Sequence, residues 1–171
     1  MKFYEHQFSN VEGYLHHRAP YLLVEKIVSI SANSVETEKV VSGHEFFLPG
    51  HFPGASVFPG AMLQELSTQS AGILIAAKYN PMQQYNTHDP KFNEYALGVL
   101  VQVHSAKYKT FARPGDRLRV TVTLDEHIDT VFDFSATIAS GDSVVMRNRF
   151  RLTNIKSAVL WGDESRNRIP A

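Results

Sequence analysis

A histidine and a glutamate flank the start of one apolar helix in the middle of the chain. His51 lies in a loop that Pro-Gly pairs and several aromatic side chains constrain, between His44 and Gly60. Such a loop can hold a neutral imidazole in apolar surroundings, which suits a general base near neutral pH. The first chemistry that these residues indicate is therefore the removal of a proton from a bound substrate.

The same segment offers an oxyanion site and an acid. The N–H groups of Gly60 and Ala61 begin the helix, lack intrahelical partners and lie at its positive dipole end, where they suit a carbonyl oxygen that gains charge. Glu65 follows His51 by 14 positions. It lies about 7.5 Å along the helix from Gly60, and its side chain leans back towards the N-terminus.

The spacing also fits a structural interpretation. His51 could hydrogen-bond within an aromatic loop, and the Pro-Gly pairs could be ordinary turns. Gln64, Glu65, Thr68 and Gln69 have the spacing of a solvated helix face. Because the rest of the helix is apolar on most sides, a buried glutamate with a partner or a function is slightly favoured.

The sequence lacks the residues that metal, nucleotide and serine-hydrolase sites need. The 171-residue chain has no cysteine, and its eight histidines form no His-Glu-x-x-His pair, so we expect no metal site. Glycine-rich nucleotide loops and the Gly-x-Ser-x-Gly motif are absent from the sequence. A formal net charge of zero argues against nucleic-acid binding. A polar start over Met1–Asn10 and short apolar runs predict a cytoplasmic protein with no membrane span.

The elements that position these residues predict an α+β fold, in which an antiparallel sheet packs on one long helix. The helix is predicted over Ala61–Tyr79. The predicted strands are Leu22–Ile30, Val35–Val41, Leu97–Tyr108, Arg117–Asp125, Val131–Ala139 and Val144–Leu152. Residues 1–155 are expected to form a single domain, and residues 156–171 a poorly structured C-terminal tail.

Three stretches of the sequence resemble the β-hydroxyacyl-acyl carrier protein dehydratases. His51-Phe52-Pro53-Gly54, followed by Phe58-Pro59-Gly60 and Glu65, is similar to that family's signature, with the acid at the required spacing. His17-Arg18-Ala19-Pro20 through Glu25 resembles the family's opening motif. Arg113-Pro114-Gly115-Asp116 is similar to a family turn, so the likeness spans roughly residues 15–153.

The resemblance implies a hot-dog fold, in which the sheet wraps around the helix, and a homodimer with tunnels between protomers that could assemble further. It implies that His51 takes the proton α to a thioester carbonyl, the Gly60 N–H stabilises the oxyanion, and Glu65 protonates the departing 3-hydroxyl. Phe52, Val57, Phe58 and Gln69 would contact substrate. The partner would be an acyl carrier protein, and no cofactor is needed because acid, base and oxyanion donors suffice.

Other functions stay open from the sequence. A hot-dog thioesterase would activate water at the same helix start and release free thiol, which a dehydratase does not. A coenzyme A-linked enoyl hydratase would use the same site with another carrier. A non-catalytic acyl-binding module would be favoured if His51 and Glu65 were not close in space. The Asn80–Glu94 excursion and the residues beyond Asn154 flank the acyl tunnel in this family, so acyl length is not determined.

Overall fold

In a computed structural model of the protein, which describes residues 1–89 and 93–162, one antiparallel sheet packs on one long helix. The strands lie in the order β1-β2-β4-β5-β6-β3, so β3 forms one edge of the sheet. The elements in chain order are α1 (Val11–Tyr14), β1 (Lys26–Ile30), β2 (Ser34–Val40), α2 (Gly60–Lys78), β3 (Tyr95–Tyr108), β4 (Arg117–Ile128), β5 (Val131–Ser140), β6 (Ser143–Lys156) and α3 (Ser157–Leu160).

The core lies between α2 and the inner face of the sheet. From Leu66 to Ala77 every residue of α2 is buried, as the all-round apolar sequence predicts. Buried side chains alternate with exposed ones along most of β4 and with half-buried ones along β5, because successive residues of a strand point to opposite faces. Phe132, Phe134 and Phe150 fill the inner face and are almost fully inaccessible to solvent. The expected hot-dog fold is confirmed.

Strand β3 runs antiparallel to α2. At the start of α2, a Cβ on Gly60 would lie 2.9 Å from the ring of Tyr108, at the end of β3. Later in the helix, the backbone of Gly72 meets Gly98, near the start of β3, where a Cβ would lie 3.2 Å from the Gly72 Cα. Gly98 has φ +73°, a conformation that glycine adopts without strain.

The predicted elements differ from the structure mainly at their ends. Residues 22–25 were expected in the first strand, but β1 begins only at Lys26. The preceding backbone turns, with Tyr21 and Leu22 N–H both donating to the Arg18 carbonyl, and Leu23 N–H donates to Gln69 on α2. Leu23 therefore braces the helix, and contact with the sheet begins only at Glu25, whose N–H donates to the Glu38 carbonyl of β2.

The C-terminal tail is more ordered than expected over its first residues. Strand β6 continues to Lys156, paired with Tyr95, and α3 follows directly. The Ser157 N–H donates to the Glu94 carbonyl, which ties the start of α3 to the residue before β3. The prediction of a poorly structured tail is wrong for these residues, and residues 163–171 lie outside the described part. The domain boundary at residue 155 stays a prediction.

The excursion after α2 folds back on the N-terminal segment. Arg18 donates to the carbonyl of Thr87 at 3.0 Å, and the Tyr85 hydroxyl donates to the Tyr14 carbonyl at 2.9 Å. Asn93 Nδ2 lies 2.7 Å from His16 Nε2. Hydrogen bonds thus fasten this stretch to the domain at several points. None of the helices over the described residues is long and apolar enough to cross a membrane.

Candidate active site

A compact loop fixes the orientation of the His51 ring. His51 Nδ1 lies 2.9 Å from the Val57 carbonyl oxygen, while the His51 carbonyl accepts from the Val57 N–H at 2.8 Å. Because a carbonyl oxygen only accepts hydrogen bonds, Nδ1 carries the proton and Nε2 of the neutral ring keeps its lone pair. The Phe52 ring stacks on the imidazole with 4.2 Å between centroids. The local fold thus holds the ring in the tautomer that a base at Nε2 needs.

The chain before His51 is anchored by a half-buried ion cluster. Lys39 Nζ lies 2.6 Å from Glu25 and 2.9 Å from Glu45, and the Glu45 carboxylate also accepts the N–H groups of Ser42 and Gly43. Burial alone would raise the pKa of Glu45, but the hydrogen bonds from Lys39 and the backbone outweigh it and lower the pKa to about 2. This carboxylate stays charged and ties the approach to the loop to β2.

The start of α2 presents free donors beside His51. The carbonyl of Pro59 accepts the N–H groups of Met62 and Leu63, whereas the N–H groups of Gly60 and Ala61 donate to no acceptor in the described part of the chain. Gly60 and His51 line one cavity of about 340 Å³. The walls of this cavity are completed by Val57, Phe58, Leu63, Tyr108, Lys109, Thr110 and Phe111.

Glu65 lies in a largely buried, partly apolar environment. Its side chain is 16% exposed, and its Oε1 accepts a 2.9 Å hydrogen bond from Gln69 one turn later. Burial raises the pKa of Glu65, and hydrogen bonds from Gln69 and Tyr21 oppose this without cancelling it. A raised pKa favours the protonated carboxyl, which is the form that can donate a proton.

Two further side chains approach Glu65 from the N-terminal segment. His17 Nε2 lies 3.7 Å from Glu65 Oε1, and its ring stacks on Tyr21. Burial, followed by the neighbouring charge of Arg18, lowers the pKa of His17, so the ring is neutral near pH 7. Sequence reasoning gave these residues no role. Their only signal was membership of the motif that opens at His17.

His51 and Glu65 line different cavities within one chain. Glu65 belongs to a cavity of about 320 Å³ with Thr68, His17 and Tyr21, whereas His51 lines the cavity with Gly60. The two cavities have no lining residue in common. A single protomer therefore does not bring the predicted base and acid into one cavity.

The predicted substrate contacts fall into two groups. Val57 and Phe58 line the His51 cavity. Phe52 is 55% exposed and touches the His51 ring from outside. Gln69 is only 1% exposed, and it bonds the Leu23 N–H, the Tyr21 carbonyl and Glu65. Its arrangement fits the positioning of Glu65 better than the predicted contact with substrate.

The solvated-face interpretation of the helix is wrong. Gln64 is 8% exposed and bonds Asn148 on β6, Thr68 is 7% exposed and lines the Glu65 cavity, and Gln69 is 1% exposed. Polar side chains on this face are buried within the domain. Within residues 1–89 and 93–162, no three His, Asp or Glu side chains cluster as metal ligands would.

Comparison with known proteins finds relatives of one kind. Two curated relatives are both described as the 3-hydroxyacyl-[acyl-carrier-protein] dehydratase FabZ. The protein from Cupriavidus taiwanensis is 34% identical over 131 residues, covering 76% of this chain and 81% of the relative. The protein from Rickettsia bellii is 30% identical over 135 residues, covering 78% and 86%.

Solved structures share the fold at lower identity. The dehydratase heterocomplex ApeI:P from Xenorhabdus doucetiae superposes with a TM-score of 0.71 and 19% identity, over 92% of this chain and 100% of that chain. Thioesterase superfamily member 2 from Mus musculus gives 0.54 and 13%, over 75% and 80%. At these identities the likeness concerns the fold alone. The model of the FabA-like domain matches residues 15–149, which include His51, Gly60 and Glu65, and the chain belongs to the family that this domain defines.

Proposed function

We propose that this protein is a 3-hydroxyacyl-[acyl-carrier-protein] dehydratase, which converts 3-hydroxyacyl thioesters to trans-2-enoyl thioesters and water. The observation that carries the proposal is the His51 ring, whose Nδ1–H is held by the Val57 carbonyl beside the free N–H groups at the start of α2. The names of the family relatives supply the substrate class. Without a cysteine, the chain suits the reducing cytoplasm, where we expect it to work.

His51 acts as the base in this mechanism. Its Nε2 lone pair removes the proton on C2, next to the thioester carbonyl, and the C2–H electron pair moves into an enolate. The Val57 carbonyl stabilises the resulting imidazolium through Nδ1–H. The N–H of Gly60 donates to the carbonyl oxygen as it gains negative charge.

Glu65 acts as the acid. Its protonated carboxyl donates a proton to the 3-hydroxyl, so that the C3–O bond breaks and water leaves as the double bond forms between C2 and C3. The raised pKa of Glu65 keeps a proton available for this step. Gln69 and Tyr21 hold the carboxyl in place by hydrogen bonds at the wall of its cavity.

Each active site is shared between two protomers of a dimer. β3 is an edge strand that contributes to both cavities, with Tyr108 at its end in the His51 cavity and residues 96–100 at its start in the Glu65 cavity. When two copies of one strand pair antiparallel, the end of one lies beside the start of the other. Pairing of the two β3 edges would therefore bring the His51 cavity of one protomer to the Glu65 cavity of its partner.

The activity is tested by offering 3-hydroxyacyl thioesters on acyl carrier protein and on coenzyme A. We expect the enoyl thioester absorbance to rise without release of free thiol, with a higher kcat/KM on the carrier protein. Free thiol formed in proportion to substrate consumed would instead identify a thioesterase. A preference for the coenzyme A substrate would identify an enoyl hydratase of that carrier. Binding without either product would leave a non-catalytic acyl-binding module.

A further inference from the structure

The cavity beside Glu65 ends in side chains from two segments outside the core of the fold. Tyr85 comes from the excursion after α2, and Leu160 and Trp161 come from α3 and the residue after it. These three side chains are called the end wall below. The cavity is also lined by Leu15 and by residues 96–100 of β3, which are largely apolar.

The end wall lies at the end of the cavity that is away from the reacting carbons. β3 runs antiparallel to α2, so Gly98 meets Gly72 about 18 Å along the helix from Gly60. α3 follows the last residue of β6, which pairs with the first residue of β3, and therefore lies beyond that crossing. A substrate whose hydroxyl on C3 reaches Glu65 directs C4 and the later carbons towards this end.

The end wall is held by the packing of the domain. The Tyr85 hydroxyl donates to the Tyr14 carbonyl, and the Tyr85 ring packs edge-on against His16 with 5.6 Å between centroids. Arg18 holds the neighbouring Thr87 carbonyl. On the other side, the hydrogen bond from Ser157 N–H to Glu94 fixes the start of α3. An acyl chain could not displace Tyr85 without breaking these contacts.

We propose that Tyr85, Leu160 and Trp161 form a stop for the acyl chain, so that the enzyme processes short and medium 3-hydroxyacyl thioesters and discriminates against long ones. This proposal rests on the proposed dehydratase function. The cavity of about 320 Å³ is near the lower end for ligand sites. A 3-hydroxyhexadecanoyl chain carries eight more carbons beyond C3 than a 3-hydroxyoctanoyl chain, so a closed end in a small cavity favours the shorter substrate.

The experiment compares kcat/KM for 3-hydroxyoctanoyl and 3-hydroxyhexadecanoyl thioesters on the same carrier. We expect the wild-type protein to favour the shorter substrate by about tenfold or more, because a stop of this kind turns each further methylene from a gain in burial into a clash. Two variants test the end wall: Tyr85→Ala, and Leu160→Ala combined with Trp161→Ala. In each, the kcat/KM for the long substrate divided by that for the short substrate should rise by about tenfold. The double variant of Leu160 and Trp161 changes only exposed side chains and so preserves the core.

The matched control is Gln84→Ala, an exposed neighbour of Tyr85 that does not line the cavity, which should keep the wild-type ratio. Equal or better turnover of the long substrate by the wild-type protein would overturn the stop. So would an unchanged ratio in both end-wall variants.

A binding measurement separates this proposal from the proposed function. If no thioester is dehydrated, calorimetry with octanoyl- and hexadecanoyl-coenzyme A still tests the end wall. Without a stop, affinity should rise about fourfold for each methylene buried. Weaker binding of the longer chain, relieved in the end-wall variants, would support the stop although the dehydratase assignment had failed. Tighter binding of the longer chain would refute it.

Discussion

At the scale of single residues, the two proposed catalytic groups are prepared in different ways. His51 is prepared by a hydrogen bond, because the Val57 carbonyl fixes the proton on Nδ1. Glu65 is prepared by burial, which raises its pKa against two hydrogen bonds that would lower it. Base and acid therefore depend on distinct local structures, and each can be removed without disturbing the other.

Substitution of either group should abolish most of the dehydration while preserving the fold. His51→Ala removes the base. Glu65→Gln removes the proton but keeps an oxygen that can accept the hydrogen bond from Gln69. We expect turnover to fall by roughly 10²–10⁴-fold in each variant, measured on protein whose thermal unfolding matches the wild type. The control is His44→Ala, an exposed histidine of the same region. Near-wild-type turnover in either catalytic variant would refute the assignment.

A side chain at Gly60 should damage turnover more than stability. Its Cβ would lie 2.9 Å from the Tyr108 ring inside the His51 cavity, and that ring is half exposed and able to move. In Gly60→Val the added groups and the displaced ring crowd the thioester, so kcat/KM should fall by about tenfold or more with a shift of only a few degrees in Tm. Gly50→Val is the matched control, since a Cβ there meets nothing within 4 Å. Unchanged catalysis would place the oxyanion donor elsewhere.

Much of the residue-scale pattern could be predicted from the sequence. The sequence placed His51 in the loop before the helix, Gly60 at the start of the helix and Glu65 five residues further along it. The neighbours of Glu65 could not be predicted, because His17 and Tyr21 reach it from a segment more than forty positions away in the sequence. Spacing along the chain also does not reveal that His51 and Glu65 line separate cavities.

At the scale of elements, the loop of His51 depends on β2. Lys39 on this strand is 7% exposed and contacts both Glu25 and Glu45. Glu45 in turn accepts two backbone N–H groups at the point where the chain leaves the sheet. A largely inaccessible carboxylate with these partners is costly to protonate or remove. The ion cluster thus connects the stability of the loop to the charge of one glutamate.

The contribution of Glu45 to stability should depend on pH. Its pKa is about 2 in the folded protein against an ordinary value of 4.5, so the unfolded state binds more protons between these values. The stabilisation, about 3 kcal/mol from the shift, is full above about pH 4.5 and is lost as the pH falls towards 2. Urea unfolding of wild type and Glu45→Gln should show a difference at pH 7 that shrinks by pH 3. Glu5→Gln, which changes an exposed ion pair, should show no comparable trend. A constant difference for Glu45→Gln would contradict this role.

The sequence predicted elements where periodicity was strong and failed where tertiary contacts decide. The helix was predicted over Ala61–Tyr79 and observed over Gly60–Lys78, because its apolar run is long and bounded by Pro-Gly and Asn-Pro. Leu22, Leu23 and Val24 share the apolar character of a strand, but the side chain of Gln69 binds the Leu23 N–H. The single-turn helices α1 and α3 are too short for a periodic signal.

At the scale of the whole molecule, mixing of inactive variants tests whether sites are shared. When His51→Ala and Glu65→Ala chains exchange subunits, a mixed dimer has one site with both changes and one with neither. Random pairing makes about half of the dimers mixed, so about a quarter of all sites should regain full activity. Turnover is measured before and after exchange, with mixed dimers identified by mass spectrometry of differently tagged chains. Mixed dimers without recovered turnover would place both groups in one chain.

The position of β3 at the edge of the sheet has a further consequence for enzyme kinetics. If one strand both joins the protomers and lines the two half-sites, catalysis exists only in the associated state. The rate per milligram of enzyme should then be constant at high concentration and fall on dilution, as mass action separates the chains. In the fully dissociated limit the total rate would depend on the square of the protein concentration. Dimer formation would thus make the activity depend on the amount of protein that the cell makes.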